Sequence, residues 1–133
     1  MITQGTHDDS RQTYRSRAGV APGTFVIAGR IVDYIDRNYR LPISLRDVAK
    51  EFGYSSCHLT HAFARITGTP ITAWIIRRRL EAAKQLLSRG ETVSAACEAA
   101  GFNDLCYFTR QFVRYVGTTP GRFRSAMYRV VDL

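Results

Sequence analysis

Apolar residues show no fixed interval in the first two dozen positions, where Thr, Ser, Gly, Gln and Arg dominate and Pro22-Gly23 closes the segment. Residues 1–24 therefore read as a disordered polar tail. From Phe25 the pattern changes: Phe25, Ile27, Ala28, Ile31, Ile35 and Tyr39 recur at helical spacing and stop before Pro42. Ser44 has the chemistry of an N-cap for a short helix through Phe52, with Leu45, Val48 and Ala49 turned inward and Gly53 as its stop. Ser55 or Ser56 caps a third helix to about Thr67, and Gly68-Thr69-Pro70 ends it and opens the next. The fourth and longest helix runs from Ile71 to about Ser88. It gathers Trp74, Ile75, Leu80, Ala83 and Leu87 on one side and leaves Arg77, Arg78, Arg79 and Lys84 largely elsewhere. Beyond Gly90 the pattern gives helices over Thr92–Ala100 and Asp104–Val116, then a last one led by Thr118-Thr119-Pro120 and reaching about Tyr128. The expectation is an all-α chain of seven helices without a strand.

Part of this pattern occurs twice. Gly53-Tyr54-Ser55, Leu59, Phe63, Arg65, Gly68 and Pro70 return as Gly101-Phe102-Asn103, Phe108, Phe112, Arg114, Gly117 and Pro120, the two Gly-led turns 48 positions apart and the phenylalanines 49. In each copy a small residue, Ala49 or Cys97, stands four positions before the turn glycine. Two short helices crossing steeply through a tight turn need a small side chain at the crossing and a residue tolerant of positive φ at the turn. Both copies supply both, so the repeated unit reads as a helix-turn-helix rather than a pair of ordinary hairpins.

A wheel at about 100° per residue divides the second helix of each unit. In the first copy Leu59, Ala62, Phe63 and Ile66 share a face and oppose Cys57, Thr60, His61, Ala64 and Arg65. In the second, Leu105, Phe108, Phe112, Tyr115 and Val116 oppose Cys106, Tyr107, Arg110, Val113 and Arg114. The outward faces are the candidate reading heads. Arg110 suits guanine O6 and N7, or a phosphate clamp, and His61 can donate to a base or a phosphate. Ser55, Ser56, Asn103 and Thr109 are placed to hydrogen-bond phosphates, beside Arg65, Tyr107 and Arg114 on the outward faces. Both helix N-termini are expected to offer N–H groups to an anion.

Charge supports this direction. Lysines and arginines number 19 against 11 acidic residues, for a net charge of +8, and 17 of the 19 are arginines. Arginine presents a planar, permanently charged fork that matches phosphate and guanine edges, so the excess points to a polyanion. With 45% apolar residues there is enough material for a core, and no apolar run has the length of a membrane span. The N-terminus lacks the pattern of a secretory signal, and three cysteines without paired spacing suit a reducing compartment, so the expected location is the cytoplasm.

The run Ala100-Gly101-Phe102-Asn103-Asp104, Tyr107-Phe108-Thr109-Arg110-Gln111-Phe112, Arg114, Gly117-Thr118-Thr119-Pro120 and Phe123-Arg124 resembles the DNA-binding domain of AraC/XylS transcription regulators. The first copy matches more loosely through Gly53-Tyr54-Ser55, His58-Leu59, Phe63 and Gly68. The resemblance implies a first helix-turn-helix subdomain over 25–69, a linker helix over 70–89 and a second subdomain over 90–133. It implies recognition helices entering successive major grooves of promoter DNA, with activation through RNA polymerase. A linker of about 18 residues is about 27 Å long, compatible with one ~34 Å DNA repeat. The bases would be touched by Cys57, Thr60 and His61 from the first unit and by Leu105, Cys106 and Arg110 from the second, although the wheel turns Leu105 toward the core. Cys57 and Cys106 offer little hydrogen bonding, which shifts weight onto thymine methyl groups and DNA shape. Unlike outward residues, His61 against Arg110, imply a monomer on an asymmetric site. The chain fits the family's stand-alone subgroup, or else an excised C-terminal domain.

Two other classes compete. A protein-interaction module that sequesters another regulator or the polymerase would suit the weakly polar heads. Catalysis would have to use Cys57, His58 and His61, but no acid orients either histidine and zinc would need further ligands, so no enzyme, catalytic residue, metal or cofactor is expected.

Overall fold

The computed structural model describes residues 22–132, apart from the side chains of Pro22, Thr24 and 129–132. The rest of the tail expected over 1–24 lies outside the described residues. Seven helices and no strand are found among them: α1 Pro22–Asn38, α2 Leu45–Phe52, α3 Ser56–Thr67, α4 Ile71–Ser88, α5 Val93–Ala99, α6 Leu105–Val116 and α7 Pro120–Asp132. The first helix begins at Pro22, so the stretch 22–24 is helical and not tail. Proline is well suited to a helix's first turn, where its missing N–H has no intrahelical partner to lose.

The described chain divides into two compact units, 22–35 with 44–72 and 36–43 with 73–132, the break falling inside α4. Unit 1 buries Ala28, Ile31, Ile35, Val48, Ala49, Leu59, Phe63, Ile66 and Ile71. Unit 2 builds its core from Leu80, Ala83 and Leu87 of α4, Ala96 and Cys97 of α5, and Phe102, Phe108 and Phe112.

The same turn is built twice. In unit 1 the N–H of Tyr54 donates to Ala49 O at 2.9 Å and that of Gly53 to Lys50 O at 3.3 Å; in unit 2 Phe102 donates to Cys97 O at 3.0 Å and Gly101 to Glu98 O at 3.1 Å. These bonds absorb carbonyls that a helix end leaves orphaned, and they require left-handed backbone at the glycine, φ +76° at Gly53 and +101° at Gly101. The preceding helices are capped differently. Ser44 and Asp47 form a reciprocal capping box on α2, the Ser44 N–H donating to the Asp47 carboxylate at 2.8 Å. Hydrogen bonds from the Ser44 side chain and backbone hold the Asp47 carboxyl below its usual pKa. A depressed folded-state value means this cap contributes fully above the ordinary carboxylate pKa and fades as pH falls through the folded one. On α5 the cap is Thr92, whose hydroxyl accepts from the Ala95 N–H at 3.1 Å.

Several arginines serve the fold. The Arg79 guanidinium is half-buried, donating from Nε to Tyr39 O at 2.7 Å and from Nη2 to Leu41 O at 2.8 Å. Burial lowers its pKa. Arg78 pairs with Asp36 at 3.0 Å and lies 4.4 Å over the Tyr39 ring. Arg124 donates to Glu91 O and Gly90 O, each at 2.8 Å, tying α7 to the turn that precedes α5. Arg79→Lys will destabilise unit 2 by about 1 to 3 kcal/mol, because a single ammonium cannot reproduce the two-pronged contact. Urea unfolding followed by circular dichroism measures the difference, and a change under ~0.5 kcal/mol would make the clamp incidental.

Candidate nucleic-acid interface

The first head is α3. Ser55 caps it in extended backbone, its Oγ accepting from the His58 N–H at 3.1 Å, and Ser56 is the first helical residue. Gly68, at φ +77°, ends the helix by donating to Ala64 O. Leu59, Phe63 and Ile66 are buried, as the wheel has them; Cys57, His61 and Arg65 are exposed, and Thr60 and Ala64 half-buried. Two outward side chains bond to their own helix one turn back. The Thr60 hydroxyl donates to Ser56 O at 2.8 Å, and His61 Nδ1 lies 2.8 Å from Cys57 O. The ring of His58 stacks on Tyr54, centroids 5.2 Å apart.

The second head is α6, capped by the carboxylate of Asp104, which accepts from the Tyr107 N–H at 3.1 Å. Phe108 and Phe112 are wholly buried, Tyr115 and Val116 half so. Cys106, Arg110 and Arg114 are exposed and Tyr107 and Thr109 half-buried, with Asn103 exposed in the preceding turn. The Thr109 hydroxyl donates to Leu105 O at 2.9 Å, so this threonine presents a methyl group and lone pairs rather than a proton. The Arg110 guanidinium lies 5.9 Å from the Tyr107 ring and that of Arg114 5.5 Å from the Tyr115 ring. Both forks thus lie over ring faces, and among the described residues neither is paired with a carboxylate.

Leu105 departs from the wheel. It is 46% exposed, not turned into the core. As the first residue of α6 it has no preceding helical turn to pack on, and the core position beneath it is filled by Phe102, whose ring lies 4.9 Å from that of Phe108. Leu105 therefore stands with Cys106 and Arg110 on the accessible side, beside an open groove of about 760 Å³ lined by Pro42, Ile43, Arg79 and Phe102. The N-termini also differ from expectation. The N–H groups of His58 and Tyr107 are already taken by Ser55 and Asp104, and at α6 the capping group is itself an anion that competes with phosphate. Ser55, used as an acceptor, keeps its own proton to donate.

The three cysteines divide by environment. Cys97 is buried at the helix crossing, where burial pushes its thiol above the usual pKa and keeps it protonated; Cys57 and Cys106 are exposed. Among the described residues no three His, Cys, Asp or Glu side chains gather as a metal site, and no helix is long and apolar enough to cross a membrane.

A family model described as a helix-turn-helix domain matches residues 48–126. The HTH-type transcriptional activator AarP of Providencia stuartii is 33% identical over 99 residues, covering 74% of this chain and 73% of AarP. Two other curated relatives are longer, and the chain spans 39% and 30% of their lengths. The crystal structure of a probable AraC family transcriptional regulator from Rhodopseudomonas palustris CGA009 matches with a TM-score of 0.65 and 31% identity, covering 73% of this chain and 93% of that one. The DNA-binding domain of AdpA, solved in complex with a target DNA, shares the fold at a TM-score of 0.71 and 22% identity, over 77% and 93% of the two chains.

Proposed function

Since the chain belongs to the AraC-type helix-turn-helix family of DNA-binding transcription regulators, we propose that it binds one asymmetric duplex site as a monomer, α3 and α6 entering successive major grooves. The observation that carries this reading is a scaffold built twice with unlike outward faces: the turn bonds of Gly53-Tyr54 recur at Gly101-Phe102, while Cys57, Thr60 and His61 stand against Leu105, Cys106 and Arg110. Identical heads would favour two like half-sites; these favour two unlike ones. Base contacts are assigned to those six residues, with Leu105 offering an apolar contact to a thymine methyl. Backbone contacts are assigned to Ser55, Ser56, Arg65, Asn103, Tyr107 and Arg114; Thr109, its proton given to Leu105 O, can touch the backbone only through its methyl group.

The regulator works in the cytoplasm, without catalytic residues, metal or cofactor, and activates transcription by touching RNA polymerase while bound at a promoter. AarP, described as an activator, supports the sign of regulation. The weakly polar heads leave a second reading, a module that captures another regulator or the polymerase without DNA; partner capture with no shift of any duplex would favour it.

Arg110→Ala is the test. Its loss will weaken binding to the selected duplex by about 1 to 3 kcal/mol and relax preference at one base pair. Uniform weakening across all sequences would make Arg110 a phosphate contact instead. A shift that stays non-specific for every duplex at physiological salt would overturn the DNA-reading function.

A further inference from the structure

We propose that the first head reads its half-site as a hydrogen-bond acceptor: His61 Nε2 takes a proton from the exocyclic amino group of adenine or cytosine, opposite in polarity to the donor Arg110 on the second head. This rests on the DNA-binding reading above.

His61 Nδ1 lies 2.8 Å from the carbonyl oxygen of Cys57, one turn back along α3. A carbonyl oxygen has only lone pairs, so the hydrogen between the two atoms belongs to Nδ1. A neutral imidazole protonated there carries its lone pair on Nε2. The Cys57 Sγ, 3.8 Å from the same Nδ1, is a weak partner and does not involve Nε2. His61 is exposed, so Nε2 is the ring atom left for a ligand, and it accepts.

Its neighbours do not compensate. Thr60 has given its hydroxyl proton to Ser56 O, Ala64 has no polar atom, and Cys57 is a feeble donor. Arg65 sits one turn farther along, against the helix's C-terminal end, which places it for the backbone rather than the groove floor. The polarity of the first head is therefore that of Nε2. In the major groove amino donors come from adenine N6 and cytosine N4, whereas guanine offers O6 and N7 and thymine O4, all acceptors. Against guanine or thymine the Nε2 lone pair would meet another lone pair. Arg110 has only donors and takes the complementary choice.

The test has two parts, both at pH 8 with the full chain. Nitrogen-15 NMR of the free protein reads the tautomer directly: His61 is expected with its proton on Nδ1, and a proton on Nε2 overturns the proposal. Selection from random duplexes with the natural protein and with His61→Arg then locates the contacted base as the one whose preference changes. Every base pair carries one amino donor in the major groove, adenine N6 or cytosine N4, so the selection locates the pair and His61→Arg, which has only donors, is expected to change the preference at that pair. An unchanged preference in His61→Arg overturns the proposal. Replacing the enriched adenine by purine, or the enriched cytosine by 2-pyrimidinone, removes the amino group alone and separates the two bases. Affinity should fall about threefold to tenfold, the range of one net hydrogen bond; no change overturns the proposal. If the polarity alone is wrong, the Arg110-dependent preference survives in the other half-site. If no position is enriched anywhere, the DNA-binding reading falls with it.

Discussion

Gly101→Ala will cost unit 2 about 3 kcal/mol or more, while the matching substitution Gly53→Ala will cost unit 1 only about 1 to 2 kcal/mol. Both glycines hold left-handed backbone, at φ +101° and +76°, and a side chain there costs about 1 to 2 kcal/mol by itself. The surroundings separate them. A Cβ on Gly53 would meet nothing within 4 Å, but on Gly101 it would sit 2.6 Å from Tyr39 O, 3.0 Å from Arg40 Cα and 3.2 Å from Arg79 Nε. The closest of these is backbone, and it is the same Tyr39 carbonyl that Arg79 holds at 2.7 Å. Relief of the clash must loosen that clamp, so the two costs add. Native-state hydrogen exchange at core amides of each unit measures them separately, and equal losses in the two variants would refute the close-packing argument.

Phe112→Ala is expected to be at least as damaging, about 3 to 5 kcal/mol, because it empties a site with no exposed surface. The Phe112 ring lies 5.6 Å from Phe108 and 5.5 Å from Phe123, so its removal breaks an aromatic chain that joins α6 to α7. With typical domain stabilities of about 5 to 15 kcal/mol, such a loss leaves a small unit near its unfolding threshold. Because Arg110 and Leu105 ride on the same helix, the variant should lose preference in one half-site while the Phe63-anchored unit keeps its own. The readout is loss of exchange protection across α5–α7 alongside an altered selection logo. Full protection at α6 in Phe112→Ala would contradict the assignment of this ring as the keystone of unit 2.

Helices and turns were legible because their signals are local. Ser44, Ser55 and Gly53 declare caps and stops by chemistry that acts within a few residues, and the apolar spacing of Leu59, Phe63 and Ile66 suffices to orient α3. What escaped depends on partners far apart in sequence or on the ends of elements. Arg79 looks like surface charge until Tyr39 and Leu41 arrive from 40 and 38 residues away. Leu105 sits inward on a wheel because a wheel has no ends, whereas the first residue of a real helix has no turn beneath it. Pro22 reads as a breaker that closes the tail, whereas a helix start accepts it. On the heads, the residue types were readable but their hydrogen-bond states were not: that Thr60, His61 and Thr109 turn their protons back onto the helix is a matter of rotamer, which sequence spacing does not encode.

The most direct measurement is selection of bound sequences from a random duplex pool by the full chain at physiological salt, followed by the stoichiometry of the selected complex. One protein per duplex is expected, on a site with two unlike half-sites centred about one helical turn apart and with guanine preferred where Arg110→Ala relaxes the choice. A palindromic site occupied by two copies, or a pool that never departs from its starting composition, would contradict the account.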